Sequence, residues 1–271
     1  MTPMSINDSK ILKLTGILLM LIILVSCNQN ITSTEEINHE SLSEIHDDGN
    51  TDVSNINEND PDPDNNNSEE SLIKYLALGD SYTIGTSVCD TCSYPQQLKV
   101  KLKEVFNNNV ELKIIAQTGW TTTALIGTIN SENPSQDNDL VTLLIGVNNQ
   151  FQNRSFEIYE TEFPLLLNKA IRFAKGDPKN VIVISIPDYA YTPFGENSNS
   201  RENISNEIDA YNNYAKEVTQ SIHVKFIEIT DITRQGLNDP DLVASDGLHP
   251  SKKAYEKFVE RLLPVCVDIL R

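Results

Sequence analysis

The segment Ile73-Lys74-Tyr75-Leu76-Ala77-Leu78-Gly79-Asp80-Ser81-Tyr82-Thr83 decides the architecture of this chain. Its apolar run, Ile73 to Leu78, is too short for a core helix and stops at Gly-Asp-Ser, as a buried strand does when it runs into a turn. Four more runs of the same kind follow: Leu112 to Ala116, Leu140 to Ile145, Val181 to Ile186 and Val224 to Ile229. They are rich in branched residues and nearly continuous rather than alternating, which indicates strands covered on both faces, as in a parallel sheet. Amphipathic helical patterns lie between them. One opens at Ser155 as N-cap and places Phe156, Tyr159, Phe163, Leu166, Leu167, Ala170, Ile171 and Ala174 on one face. Another runs from Arg201 to about Ile222. The last begins at Pro250, whose ring is preset for a first helical turn, and Pro264 is expected to kink or end it. Right-handed crossovers lay such helices on the two faces of the sheet, so the pattern predicts a three-layer α/β/α sandwich with a five-stranded parallel sheet. About 200 residues, 71–271, suit one domain of this kind.

The N-terminal part has a different character. Residues 1–26 carry basic Lys10 and Lys13, then an apolar run from Leu14 to Val25 that is too short to span a bilayer comfortably. This is the pattern of a secretion signal. Leu24-Val25-Ser26-Cys27 resembles the bacterial lipobox, which implies lipidation of Cys27, a membrane anchor and an extracytoplasmic location at the periplasm or cell surface. From Asn28 to Glu70 there are thirteen acidic residues, no Lys or Arg and no aromatic residue. Such a stretch cannot bury enough apolar surface to offset its ordering entropy, so residues 27–70 are expected to form a solvated tether. Most of the net charge of -18 belongs there. No basic stripe is left to neutralise phosphates, which excludes nucleic acid as a partner. Cys89 and Cys92 read as a small-loop disulfide or a pair of thiols rather than a zinc site, which would need a second ligand pair, and Cys266 is left over. No metal or cofactor is expected, and the domain is expected to be monomeric.

In a parallel sheet, ligands bind beyond the carboxyl ends of the strands. Reading there gives Gly79-Asp80-Ser81, Gln117-Thr118-Gly119-Trp120, Gly146-Val147-Asn148-Asn149, Pro187-Asp188-Tyr189 and Ser245-Asp246-Gly247-Leu248-His249-Pro250. A serine hydroxyl is a poor nucleophile at neutral pH and needs a base within hydrogen-bond reach, a task histidine suits. Of the four histidines, His39 and His46 fall in the tether and His223 where a helix hands over to a strand. Only His249 lies in a late loop with a carboxylate, Asp246, three residues away. That spacing lets Asp246 accept from one ring nitrogen while the other faces Ser81.

These blocks, in this order, resemble the SGNH (GDSL-type) hydrolases, named for a Ser, a Gly, an Asn and a His in four sequence blocks. The resemblance covers about 73–263. Leu76 to Thr83 is similar to the nucleophile block, Gly119 to the glycine block, Leu144 to Asn149 to the block usually written Gly-x-Asn-Asp, and Asp246 to His249 to the last block. Asn149 stands where the family usually has Asp. The resemblance implies a flavodoxin-like sandwich and hydrolysis of carboxylic esters or thioesters. It also implies an oxyanion hole made of the Ser81 and Gly119 N–H groups and the Asn148 amide.

Tyr82, Trp120, Phe151, Tyr189, Tyr191 and Phe194 cluster next to these blocks. Tyr82, Trp120, Asn149 and Tyr189 are taken as substrate contacts, with about half of the aromatics expected to be core. Arg154 is expected to be structural. The expected substrate is a short-chain acyl ester, such as an acetyl group on a glycan. A lysophospholipase or thioesterase acting on lipid chains and a non-catalytic glycan-binding module stay open. A phosphoacceptor receiver shares the topology but needs carboxylates clustered after the first strand and a lysine after the fifth.

Overall fold

The computed structural model describes residues 72–196 and 200–271. The expected signal segment, Cys27 and the tether lie outside the described residues. The strands are β1 (Ile73–Gly79), β2 (Val110–Ala116), β3 (Leu140–Leu144), β4 (Val181–Ile184) and β5 (Lys225–Ile227). The helices are α1 (Ser81–Ile84), α2 (Tyr94–Phe106), α3 (Thr122–Glu132), α4 (Val147–Phe151), α5 (Phe156–Phe173), α6 (Pro193–Glu196), α7 (Arg201–Ser221), α8 (Thr230–Thr233) and α9 (Lys252–Leu270). The strands form one parallel sheet in the order β2-β1-β3-β4-β5. One outer layer is α2 packed on α9; the other is the series α3, α5 and α7. This is the predicted sandwich with the flavodoxin-like strand order. Among the described residues no helix is long and apolar enough to cross a membrane.

The central strands explain why the apolar runs were so easily read. Every residue of β3 and β4 is buried, because helices cover both faces. β2 and β5 are edges, and their burial alternates or fades. β5 therefore keeps only Lys225–Ile227 of the longer apolar run.

Three local expectations are corrected. Pro250 does not open the last helix: it bridges to Val243, and Ser251 caps α9 by accepting from the Ala254 N–H at 3.2 Å. Pro264 does not end α9, which continues to Leu270. A proline costs a helix one backbone hydrogen bond, and α9 offsets this by burying Tyr255, Phe258, Val259, Leu262 and Cys266 in the core. Ser155 occupies the N-cap position of α5 without capping, its hydroxyl donating to Glu157 instead.

The register positions the site. Gly79 pairs with Ala116 of β2 and with Leu144 of β3. The three strands therefore end level, and the residues just past them leave the same sheet edge. In this strand order the crossovers reverse direction between β1 and β3, which opens a crevice at that point.

Candidate active site

Ser81 is the first residue of α1, directly past β1. The turn that delivers it is crowded. A Cβ on Gly79 would overlap Thr83 Oγ1 and the Leu144 carbonyl, so glycine is required there. Asp80 is fully buried and caps α1, its Oδ1 accepting the Tyr82 N–H at 3.0 Å, while its Oδ2 has no partner. Burial raises the Asp80 carboxyl to about 7.

Beyond β2, Gly119 has φ +84, a left-handed conformation suited to glycine. A Cβ there would meet no protein atom, so backbone conformation rather than crowding selects glycine at this position. Beyond β3, Asn148 lies in α4 and its Nδ2 donates to the Trp120 carbonyl at 3.0 Å. This bond fixes the side chain and leaves the second amide hydrogen for the space in front of it.

His249 arrives differently from the expected route. After β5 come α8 and a 3₁₀ turn, Pro240–Leu242, before the loop that carries it. The loop is pinned by the Val243–Pro250 bridge and by the Ala244 N–H donating to the His249 carbonyl at 2.7 Å. Within it, His249 Nδ1 lies 2.6 Å from Asp246 Oδ2. Asp246 Oδ1 accepts the backbone N–H groups of Leu248 and His249 at 2.9 and 3.0 Å. Burial alone would raise the Asp246 carboxyl, but the hydrogen bonds from Ser87, His249 and the two backbone groups outweigh it and hold the group well below the usual carboxylate range.

Ser81, Gly119, Asn148 and His249 share the wall of one cavity of about 170 Å³ with Tyr82, Thr118, Val147, Phe151, Tyr189 and Leu248. No hydrogen bond joins the Ser81 hydroxyl to the ring; both face the same space. The first N–H groups of a helix have no acceptor within it, so the Ser81 N–H at the head of α1 is available as a donor. The remaining lining is largely apolar, and the aromatic side is built of Tyr82, 5.2 Å from the His249 ring, and Tyr189, whose hydroxyl donates to Gln150 Oε1 at 2.8 Å. Phe151 meets Tyr189 edge-on at 5.5 Å and Phe194 at 6.0 Å.

Two expected substrate contacts lie elsewhere. Asn149 is fully buried, accepting the Thr122 N–H at 3.0 Å and donating to Thr122 Oγ1 at 2.7 Å, so it ties α4 to α3 instead of facing the cavity. Trp120 packs against the core with its side chain off the cavity wall and contributes only its carbonyl to the site. Tyr191 stacks under Arg201, with the guanidinium 4.6 Å from its ring centroid. Arg154 lines a neighbouring cavity with Gln150, Phe156 and Glu207. His223 is exposed and turns the chain between α7 and β5 at φ +61. Cys89 and Cys92 form a disulfide, and Cys266 is a buried thiol pushed up to about 12 by burial.

Thr118, Val147 and Leu248 are cavity residues that sequence reasoning missed, although each adjoins a residue it chose. Ser87 was also missed, and nothing local in the sequence marks it.

The model of the GDSL-like lipase/acylhydrolase family matches residues 77–257. The chain belongs to that family. As a GDSL-type hydrolase it is similar to a spore germination lipase of Bacillus licheniformis, 25% identical over 210 residues that cover 70% of this chain and 94% of the relative. Its fold is that of a lipase from a goat rumen metagenome (TM-score 0.58, 21% identity, 71% of this chain and 97% of that one). An acetylxylan esterase from Geobacillus stearothermophilus shares it too (TM-score 0.55, 17% identity, 72% and 94%).

Proposed function

We propose that this GDSL-type hydrolase cleaves short-chain carboxylic esters with Ser81 as nucleophile, His249 as general base and Asp246 as the group that orients the ring. The observation that carries the reading is the shared cavity: Ser81, His249, Gly119 and Asn148 converge on a space sized for an acyl group. In the reaction, Ser81 Oγ attacks the ester carbonyl carbon and its proton passes to His249 Nε2. The carbonyl oxygen becomes an oxyanion facing the Ser81 and Gly119 N–H groups and the free Asn148 amide hydrogen. His249 returns the proton to the departing alcohol, and water then releases the acid from Ser81 by the same route. Asp246, held charged by its four hydrogen bonds, stabilises the imidazolium formed at each step.

The volume favours a small acyl group. At ~30 Å³ per small group, a cavity of about 170 Å³ takes roughly half a dozen heavy atoms, which suits an acetyl or butyryl ester. Half-exposed Phe151 and Phe194 at the rim offer apolar faces on which a sugar ring can rest. Acetylated glycans are therefore the first substrates to test, and the acetylxylan esterase among the structural neighbours supports that choice. The experiment is an ester panel with a Ser81→Ala control. Acetate release with loss of fluorophosphonate labelling in the variant is expected; a clear preference for acyl chains of eight carbons or more would overturn the short-chain reading.

The same proposal places the enzyme outside the cytoplasm, tethered through lipid on Cys27. Support comes from the residues preceding Cys27 and from the Cys89–Cys92 disulfide, which belongs to oxidising compartments. Fatty-acid metabolic labelling should depend on Cys27, and labelling of a Cys27→Ala variant would refute the anchor.

A further inference from the structure

Ser87 is far from Asp246 in sequence, yet its hydroxyl donates to Asp246 Oδ2 at 2.6 Å, the same oxygen that lies against His249 Nδ1. Its backbone sits at φ +67, in the left-handed region that serine enters at a cost. The segment on either side holds it there. The Gly85 and Thr86 N–H groups both donate to the Ser81 carbonyl at 3.0 Å, and the Thr86 hydroxyl lies 2.6 Å from that of Thr118 on the cavity wall. On the far side the Val88 N–H donates to the Gly85 carbonyl at 3.3 Å. The stretch from the candidate nucleophile to Ser87 is thus held by bonds on both sides of it, with an unfavourable backbone angle at the residue whose hydroxyl reaches the carboxylate.

Without Ser87, the carboxylate would keep two backbone donors on Oδ1 and only the ring on Oδ2. Asp246 is part exposed, so solvent could then compete for Oδ2 and let the carboxylate turn away from the ring. We propose that Ser87 is a positioning residue for the His249–Asp246 pair, its hydroxyl locking the carboxylate that aims the ring at Ser81. The inference rests on the assignment of that pair as base and orienting acid.

Two substitutions separate positioning from a merely structural role, because one spares stability and the other spares activity. Ser87→Gly relieves the backbone angle while removing the hydroxyl. Ser87→Thr keeps the hydroxyl while making the angle worse, since a branched side chain disfavours it. Measured on the full chain with a short-chain ester, Ser87→Gly should melt close to wild type, the relieved angle offsetting the lost hydrogen bond, yet lose kcat by about tenfold, the scale of one hydrogen bond, with KM within about twofold. Ser87→Thr should melt lower and keep kcat near wild type. A Ser87→Gly enzyme with wild-type kcat, or activity that follows melting temperature across both variants, overturns the proposal. His249→Ala is measured alongside. If it is inactive while Ser87→Gly is unaffected, only the role of Ser87 falls; if His249→Ala turns over, the triad assignment falls and takes Ser87 with it.

Discussion

Replacing Asp80 by Asn should remove a loss of stability that its buried carboxyl imposes as pH rises from about 4 to about 7. The Asp80 carboxyl is sealed from solvent, with one oxygen on the Tyr82 N–H and the other unpartnered. Its folded-state value of about 7 lies well above the ordinary 3.8 that it regains on unfolding. Below the lower value both states hold the proton and Asp80 contributes nothing. Between the two values the unfolded chain ionises while the folded chain keeps its proton, so stability falls, reaching its full deficit above about 7. At about 1.36 kcal/mol for each tenfold change, the deficit amounts to roughly 4 kcal/mol. Asp246 has the opposite sign, because its depressed value stabilises the fold above about 4 and that contribution is lost on acidification. The difference between variant and wild type cancels Asp246 and every other group. Comparing that difference at two pH values then cancels any pH-independent cost of burying the Asn amide. Urea unfolding followed by the fluorescence of Trp120, the sole tryptophan, at pH 4 and pH 8 measures it. The gain from Asp80→Asn should be larger at pH 8 by roughly 3–4 kcal/mol. Equal gains at the two pH values would refute the reasoning.

Three other substitutions probe the site and its frame. Asn148→Ala removes one oxyanion donor and should lower kcat about a hundredfold or more, leaving fluorophosphonate access to Ser81 open; wild-type turnover would remove Asn148 from the mechanism. Gly79→Ala drives a methyl group into Thr83 and the Leu144 carbonyl and should cost about 2–3 kcal/mol in denaturant unfolding, a figure that an unchanged midpoint would contradict. Asn149→Ala strands the buried Thr122 N–H and should cost about 1–3 kcal/mol while leaving KM for short esters unchanged, whereas a raised KM at unchanged stability would return Asn149 to the substrate site.

The sheet was legible because β1, β3 and β4 are buried on both faces and so appear in the sequence as unbroken apolar runs. The residues that line the cavity were legible where they sit shortly past a strand, as at Ser81, Gly119 and Asn148. What escaped is set by packing between distant segments. Asn149 is adjacent to Asn148 and chemically identical, but one helical step turns it from the cavity into the core, where Thr122 takes both ends of its amide. Trp120 invited a role as a sugar platform because it follows Gly119, yet its half-buried side chain packs against the core and its carbonyl is what meets Asn148. The contact of Ser87 with Asp246 joins two loops that lie far apart in the chain, and no periodicity or motif encodes it.

The level ends of β1, β2 and β3 make the enzyme a gauge of its own assembly. A collapsed chain in which β1 had slipped by two residues against β3 would keep the same side chains inward and look compact, but Ser81 would stand about 6–7 Å out of line with Asn148. Fluorophosphonate capture during refolding would therefore count molecules whose central strands have found their proper offset, a step that fluorescence or circular dichroism would pass over.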